Sequence, residues 1–171
     1  TPGTSTSERS AAYLVTGNSV WPYYGFSAAG LGDLDGDGYD EVGARSGSDA
    51  TALLMSGPLA TSDSLYDASA ALANLSSVWA TPNTMLDGFE PDTDGLSGVV
   101  VGEPNGTSSY SAEGVVYLLR TAPSGKVDTG SVADASVWGN SEYGYLGGAV
   151  ATLGDTNGDG VGEVGMGAYG Y

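Results

Sequence analysis

The chain has 171 residues, enough for one domain of ordinary size, and carries 21 acidic residues against four basic ones, for a formal net charge of −17. That charge disfavours nucleic acid and anionic membranes as partners and attracts metal cations. The absence of histidine and cysteine excludes a Ser-His-Asp triad, a cysteine nucleophile, disulfides and the usual zinc sites. No apolar run is long enough to cross a bilayer, so we predict no membrane insertion. Because of the negative charge, we also predict no nucleic-acid partner.

The N-terminal part of the chain introduces an internal repeat. A flexible arm is predicted at 1–11, followed by the strand-like run YLVTG at 13–17 and by Ser19-Val20-Trp21. The SVW motif recurs at 77–79 and 136–138 and contains all of the tryptophan. A spacing of roughly 60 residues indicates repeats, whose tryptophans we expect to pack between repeat units rather than to line a sugar-binding face. We therefore predict a single domain at 12–171 with repeats at about 12–50, 51–113 and 114–171.

The first repeat contains an acidic loop, DLDGDGYDE, at residues 33–41. Alternate side chains of a tight loop can turn inward on one ion, and glycine tolerates the positive φ that such a turn requires. Calcium takes six to eight oxygen ligands at about 2.3–2.6 Å. The loop is predicted to bind calcium through the side chains of Asp33, Asp35, Asp37 and Glu41 and the backbone carbonyl of Tyr39.

Strand-like runs follow this loop, and the abundance of glycine and tyrosine suits short strands better than long helices. Small residues from Val42 to Arg45, and ALLMSG at 52–57, are bounded by turn residues, which is typical of buried strands. A connector rich in Ser, Asp and Ala comes next at 61–72. A short helix at 66–75 is an alternative within this region.

The middle repeat has a modified acidic loop, EPDTDGLSG, at 90–98. It keeps the Asp-x-Asp-Gly core, but glycine replaces the acid at position 9 and Pro91 stiffens the loop. Its candidate calcium ligands are the side chains of Glu90, Asp92 and Asp94 and the carbonyl of Leu96. Strand-like runs follow at 99–102 and 115–120, and a second connector lies at 127–135.

The third loop, DTNGDGVGE at 155–163, closely matches the first. Its predicted ligands are the side chains of Asp155, Asn157, Asp159 and Glu163 and the carbonyl of Val161. An EF-hand has its closing glutamate at position 12, whereas here position 12 is Ala44 or Met166 and the acid stands at position 9. The loop is therefore shorter and should run directly into a strand at 164–167.

Clustered carboxylates need a physical reason. Three or four of them in one small loop repel each other unless a cation lies among them, so a bound calcium ion would contribute to the free energy of folding. The alternative is that Asp, Asn and Gly form ordinary turns without a metal. Loop spacing accounts for every clustered acid, which leaves no second carboxylate pair for glycoside cleavage, and we predict no enzymatic activity.

The segments GFSAAGLGDLDGDGYDEVGARSG and GGAVATLGDTNGDGVGEVGMGAYGY resemble FG-GAP repeats, which form the β-propeller of integrin α subunits and occur in many bacterial surface proteins. Gly25-Phe26 lies near the FG position, and Gly102-Glu103-Pro104 and Gly167-Ala168-Tyr169 stand at the GAP position. The chain departs from the family pattern in its glutamate at position 9, in Arg45 and in the middle repeat. The resemblance implies an all-β fold of three propeller-type blades of short antiparallel strands, with calcium held in loops between strands, and an extracellular or cell-surface location.

Three blades would leave open sheet edges, because propellers have four to eight blades and open edges invite pairing with another chain. The sequence opens on a YLV-type strand, and its last repeat stops where another such strand should follow. We therefore expect a structural protein that self-associates into a filament or a ring by strand exchange with a neighbouring subunit. The alternative is a calcium-stabilised adhesion fragment of a larger surface protein, with a protein or a glycan as its ligand.

Overall fold

The computed structural model describes residues 24–46, 51–56, 73–76, 85–89 and 96–170. Within these ranges the chain forms three β-sheets, none of them closed, and one short helix. The predicted all-β class is confirmed. The N-terminal arm, the YLVTG run at 13–17 and two of the three SVW motifs lie outside the described residues.

The first sheet has the strand order β1-β2-β3-β4-β8. Its first four strands are antiparallel neighbours, and β8 comes from later in the chain and pairs in parallel with β4. The strands are β1 (Tyr24–Gly32), β2 (Glu41–Ser46), β3 (Thr51–Met55), β4 (Ala73–Ser76) and β8 (Gly125–Asp128).

The second sheet is an antiparallel set in the order β5-β6-β7-β9. It consists of β5 (Met85–Phe89), β6 (Gly98–Glu103), β7 (Val115–Leu119) and β9 (Ala135–Trp138). Between β8 and β9 the chain forms the helix α1 (Thr129–Val132), whose N-cap carboxylate on Asp128 accepts the N–H of Ser131 at 3.0 Å.

The third sheet is a hairpin of β10 (Leu146–Gly154) and β11 (Glu163–Ala168). It reproduces the β1–β2 hairpin residue for residue. Gly32 pairs with Glu41 in the first hairpin, and Gly154 pairs with Glu163 in the third. Both hairpins also have register irregularities at the same two places. The acidic loops therefore occupy equivalent positions in two structural copies.

The predicted strands at 42–45, 99–102 and 164–167 are confirmed. Those at 52–57 and 115–120 are confirmed as far as Met55 and Leu119, where β3 and β7 end. The predicted helix at 66–75 is wrong at its described end, because 73–75 belong to β4. Ala73 and Leu75 are both buried and lie two residues apart, the period of a strand whose one face packs on a core. The connector at 127–135 contains strand and helix that the sequence analysis missed.

The inner strands β6 and β7 of the second sheet are buried on both faces. Val99 and Val101 of β6 pack against Leu54 and Leu75 of the first sheet. Val100 points the opposite way and belongs to a second cluster that the third hairpin covers. Successive side chains of a strand alternate between faces, so a strand covered on both sides reads as a continuous apolar run. This explains the sequence GVVVGE of β6.

Trp138 corrects the expectation that the tryptophans pack between repeat units. It lies on β9, the outermost strand of its sheet, where all four residues are exposed. The residue is 37% exposed, and its ring makes an edge-to-face contact with Tyr117, with centroids 6.4 Å apart. Trp21 and Trp79 lie outside the described residues.

The first strands of the three hairpins meet around a cavity of about 240 Å³. Residues 30–32 of β1, 87–89 of β5, and Thr152 and Gly154 of β10 line it. The backbone N–H and the hydroxyl of Thr152 both donate to Asp87, at 2.8 and 3.2 Å. Since Gly32 and Gly154 directly precede the acidic loops, both loops begin at the rim of this cavity.

Candidate metal centres

The first acidic loop is folded around the carboxylate of Asp33, which stands at position 1. One of its oxygens accepts the N–H of Gly36 at 2.7 Å, and the other accepts the N–H of Gly38 at 3.0 Å. Gly36 and Gly38 have φ values of 81° and 88°, a region that strains residues with a side chain. The two glycines of the motif are therefore what allows the backbone to turn its N–H groups toward position 1.

Asp35 and Asp37, at positions 3 and 5, continue the pattern. Asp35 accepts the N–H of Asp37 at 3.2 Å, and Asp37 accepts the N–H of Tyr39 at 2.9 Å. Bonds from an aspartate to the N–H two residues further on are Asx turns. One carboxylate oxygen from each of Asp33, Asp35 and Asp37 lies within 4.8 Å of the other two.

The third loop repeats this hydrogen-bond scheme. Asp155 accepts the N–H groups of Gly158 and Gly160 at 2.6 and 2.8 Å, and both glycines have positive φ. At the following positions, Asn157 accepts the N–H of Asp159 at 2.8 Å. Asp159 accepts the N–H of Val161 at 2.9 Å. Two loops that differ at positions 2, 3, 7 and 8 thus adopt one conformation, which the Asp, Asn and Gly positions determine.

The glutamate at position 9 caps each loop and begins the second strand of each hairpin. Glu41 is fully buried and accepts the N–H of Leu34 at 2.6 Å. Glu163 accepts the N–H of Thr156 at 2.5 Å and also its hydroxyl. The other oxygen of Glu163 accepts the side-chain amide of Asn157 at 2.6 Å.

The two centres differ in which carboxylates they bring together. One oxygen from each of Asp155, Asp159 and Glu163 lies within 4.8 Å of the others, so the acid at position 9 joins the third-loop cluster. Within the described residues, the first-loop cluster does not include Glu41. Tyr39 and Val161, predicted to ligate by their carbonyls, stand at position 7 and are 54% and 38% exposed.

The middle loop lies largely outside the described residues, and with it Glu90, Asp92 and Asp94. Leu96 is described and half-buried. Gly98 is the first residue of β6, as Glu41 is of β2. A Cβ atom on Gly98 would lie 2.5 Å from the ring of Phe89 and 2.6 Å from the carbonyl oxygen of Leu119. An acid at position 9 is therefore sterically excluded in the middle hairpin.

Backbone N–H groups favour the ionised form of the position 1 carboxylate in the third loop. The N–H of Gly160 above all, with those of Gly158, Asp159 and Asn157, holds the pKa of Asp155 below its ordinary value of 3.8. Asp155 is consequently a carboxylate at neutral pH. Every side-chain atom that could ligate a metal in the two clusters is a carboxylate oxygen. Oxygen is the ligand type that suits hard cations such as Ca²⁺ and Mg²⁺.

Several polar contacts were not found from the sequence. Ser56 donates its hydroxyl to Asp35 at 3.3 Å, which links the first loop to the end of β3. Glu113 is buried and accepts the N–H groups of Ser108, Ser109 and Tyr110 at 2.6, 2.8 and 3.2 Å. Backbone donors leave no pattern of side chains in a sequence, so no motif indicated the role of Glu113.

A group of three tyrosines, two of them exposed, lies beside the third hairpin. Tyr143 and Tyr145 have φ values of 56° and 54°, which are uncommon for residues with large side chains. The rings of Tyr145 and Tyr169 are stacked, with centroids 4.8 Å apart and planes 5° apart. Tyr143 and Tyr169 are 53% and 61% exposed. The group therefore presents an aromatic surface to solvent.

No helix in the described part of the chain is long and apolar enough to cross a membrane.

Comparison with known proteins adds no family assignment. No protein-family model matches the sequence, and no curated protein matches it.

Proposed function

We propose that this chain is a calcium-binding structural protein built of FG-GAP-type repeats, located outside the cell or at its surface and able to self-associate. The observation that carries the proposal is the pair of acidic loops. They share one hydrogen-bond scheme, and each gathers three carboxylates within 4.8 Å. Neither loop carries a histidine or a cysteine, the loop positions account for its carboxylates as metal ligands, and we propose a role without enzymatic activity.

Calcium would stabilise the fold because each loop connects two paired strands. Three carboxylates at this separation repel each other, and a divalent ion among them replaces repulsion by attraction. The ion would then hold the start of β2 or β11 against the end of the strand before it. Calcium is favoured over magnesium because it accepts irregular oxygen geometry, whereas magnesium requires a near-ideal octahedron.

Thermal unfolding in calcium and in chelator tests the metal site. At a calcium concentration 100 times the Kd, binding to one site adds about 2.7 kcal/mol to the free energy of unfolding. In a chain of this size, each kcal/mol raises Tm by about 2–4 °C. We expect a clear rise in Tm in calcium, a smaller one in equimolar magnesium, and two sites by calorimetric titration. A Tm that is the same in calcium and in EDTA would contradict the proposal.

The propeller-type arrangement is part of the same proposal. It is supported by the way β1, β5 and β10, the first strands of the three hairpins, meet around one cavity. It is also supported by the equivalent registers of the first and third hairpins. Each sheet would correspond to one blade, with the third blade represented by its first two strands.

An adhesion role with a glycan ligand is the second candidate, and the exposed tyrosines favour it. Stacked aromatic rings offer an apolar face to a sugar ring. Replacing Tyr169 by alanine should abolish glycan retention on an oligosaccharide array while leaving the calcium-dependent Tm unchanged. Replacing Tyr110, which is also exposed (50%, against 61% for Tyr169) but lies outside the stacked pair, is the matched control. Equal retention by both variants would argue against this role.

A further inference from the structure

We propose that the outer edge of β11 pairs with residues 12–15 of a second copy of this chain, which thereby supplies the third strand of the third sheet. This inference rests on the self-association in the proposed function and specifies its contact. In the first sheet β2 lies between β1 and β3, and in the second sheet β6 lies between β5 and β7. In the described part of the chain, β11 pairs with β10 alone.

The register of the donated strand follows from the first and second sheets. Gly43 of β2 pairs with Leu54, and the equivalent Val100 of β6 pairs with Leu118. Around these residues the third strands read Ala-Leu-Leu-Met at 52–55 and Val-Tyr-Leu-Leu at 116–119. The segment Ala-Tyr-Leu-Val at 12–15 has the same pattern. Leu14 is the third residue of this segment, as Leu54 and Leu118 are of theirs, and Gly165 is the equivalent of Gly43. The same register therefore places Leu14 opposite Gly165.

An exposed face on the third hairpin indicates that the donor is another copy. Leu31 and Leu153 occupy the same position in the two equivalent hairpins. Leu31 is 1% exposed because the second sheet covers it, and its backbone leaves no room for a side chain on Gly88. Leu153 is 56% exposed. The chain's own first sheet therefore does not cover this face of the third hairpin.

A donor copy would fill both the open edge and the open face. Its residues 12–15 come shortly before its own β1, so donation places the donor's first sheet next to the acceptor's third hairpin. Within one chain, seven residues connect β9 of the second sheet to β10 of the third sheet. In the donor, a similarly short segment would connect the donated strand, in the acceptor's third sheet, to the donor's own first sheet. The contact is head-to-tail, since the two copies contribute different surfaces.

The absence of cysteine from the chain permits a direct test by disulfide trapping. Two full-length single-cysteine variants, Leu14→Cys and Gly165→Cys, are mixed in calcium and oxidised. A Cβ atom at Gly165 would lie 3.6 Å from its nearest neighbour, so a side chain fits there. Residues paired across a sheet are within disulfide reach, whereas Cα atoms more than about 7 Å apart are not. We expect a covalent heterodimer on a non-reducing gel.

The matched control mixes Leu14→Cys with Tyr169→Cys, an exposed position four residues out of register. We expect about tenfold less heterodimer from this pair, because its Cα atoms would lie beyond disulfide reach. Equal yields from the two mixtures would overturn the proposed register. No heterodimer from Leu14→Cys and Gly165→Cys would overturn strand donation between copies. So would a Leu14→Cys/Gly165→Cys double variant that closes its disulfide only within single chains.

A second measurement uses a substitution on the donor strand. Leu14→Asp should convert the calcium-loaded assembly to monomers in sedimentation velocity, while Ser5→Asp, with the same change of charge in the N-terminal arm, should leave the assembly unchanged. Equal assembly of the two variants would refute the proposal. The calcium-dependent rise in Tm is recorded on every variant. If that rise persists while trapping and disassembly both fail, strand donation is wrong and the calcium proposal stands.

Discussion

Asp37 and Asp40 carry the same charge on the same exposed loop, but only Asp37 belongs to the carboxylate cluster. We expect Asp37→Asn to weaken calcium binding at the first loop by about tenfold, equivalent to about 1.4 kcal/mol. Asp40→Asn removes the same charge and should weaken it by less than about twofold, since exposed charges are screened. Isothermal titration calorimetry measures both. Equal losses would mean that general loop charge, rather than the cluster, attracts the ion.

Asp155 predicts a pH dependence of stability in calcium-free buffer. The pKa of Asp155 is lowered in the folded chain, so the stability it contributes is fully present above the unfolded value and is lost as pH falls through the folded value. The loss therefore occurs as pH falls below the ordinary aspartate value of 3.8. Carbon-13 NMR of the carboxyl group should show Asp155 still ionised at a pH where aspartates of ordinary pKa are half protonated. A midpoint at or above the ordinary value would contradict the role of the Gly160 N–H.

At the scale of elements, the spacing of acids and glycines was sufficient to predict that residues 33–41 and 155–163 form tight loops. Position 1 needs two converging N–H groups, and positions 4 and 6 need positive φ, so the motif itself encodes the turn. The placement of the position 9 glutamate at the start of a strand was also predictable. The different participation of this glutamate in the two clusters was not predictable. Glu41 is fully buried and Glu163 is half-buried, a difference that the shared loop motif does not encode.

The middle hairpin shows how packing overrides a loop motif. Gly98→Ala should destabilise the chain by about 1–3 kcal/mol, because its Cβ would overlap Phe89 and Leu119. Gly30→Ala is the matched control in β1, where a Cβ would meet no atom within 4 Å. Its effect should stay within about 0.5 kcal/mol. Urea unfolding followed by circular dichroism compares the two, and a neutral Gly98→Ala would show that the second hairpin can accommodate a position 9 side chain.

At the scale of the whole molecule, the sheets form successive layers, and equivalent residues differ according to their layer. Leu31→Ala should cost about 2–5 kcal/mol, since it removes a buried side chain from the core between the first two sheets. Leu153→Ala, at the equivalent exposed position, should cost less than about 0.5 kcal/mol. Thermal unfolding at concentrations where the protein sediments as a monomer gives both values. Similar costs would show that the third hairpin is covered in the isolated chain.

The sheet order was the part of the molecule that the sequence predicted least. Strand-like runs indicated β2, β3, β6, β7 and β11, because apolar residues bounded by turns have a clear local pattern. The parallel pairing of β4 with β8 brings residues 73–76 beside 125–128. Such pairing depends on long-range contacts, and the four residues of β8 are half-buried or exposed, so no periodicity marks them.

The edge of β11 that has no partner strand in the described part of the chain has a consequence for mixtures of intact and defective copies. A copy that carries Leu14→Asp keeps its acceptor edge but can no longer donate a strand. It would therefore add to one end of a growing assembly and terminate it there. A small fraction of such copies should shorten the assemblies far more than dilution would, so the defect would be dominant over the wild type. Because only one end of the assembly is blocked, the two ends would differ in their growth.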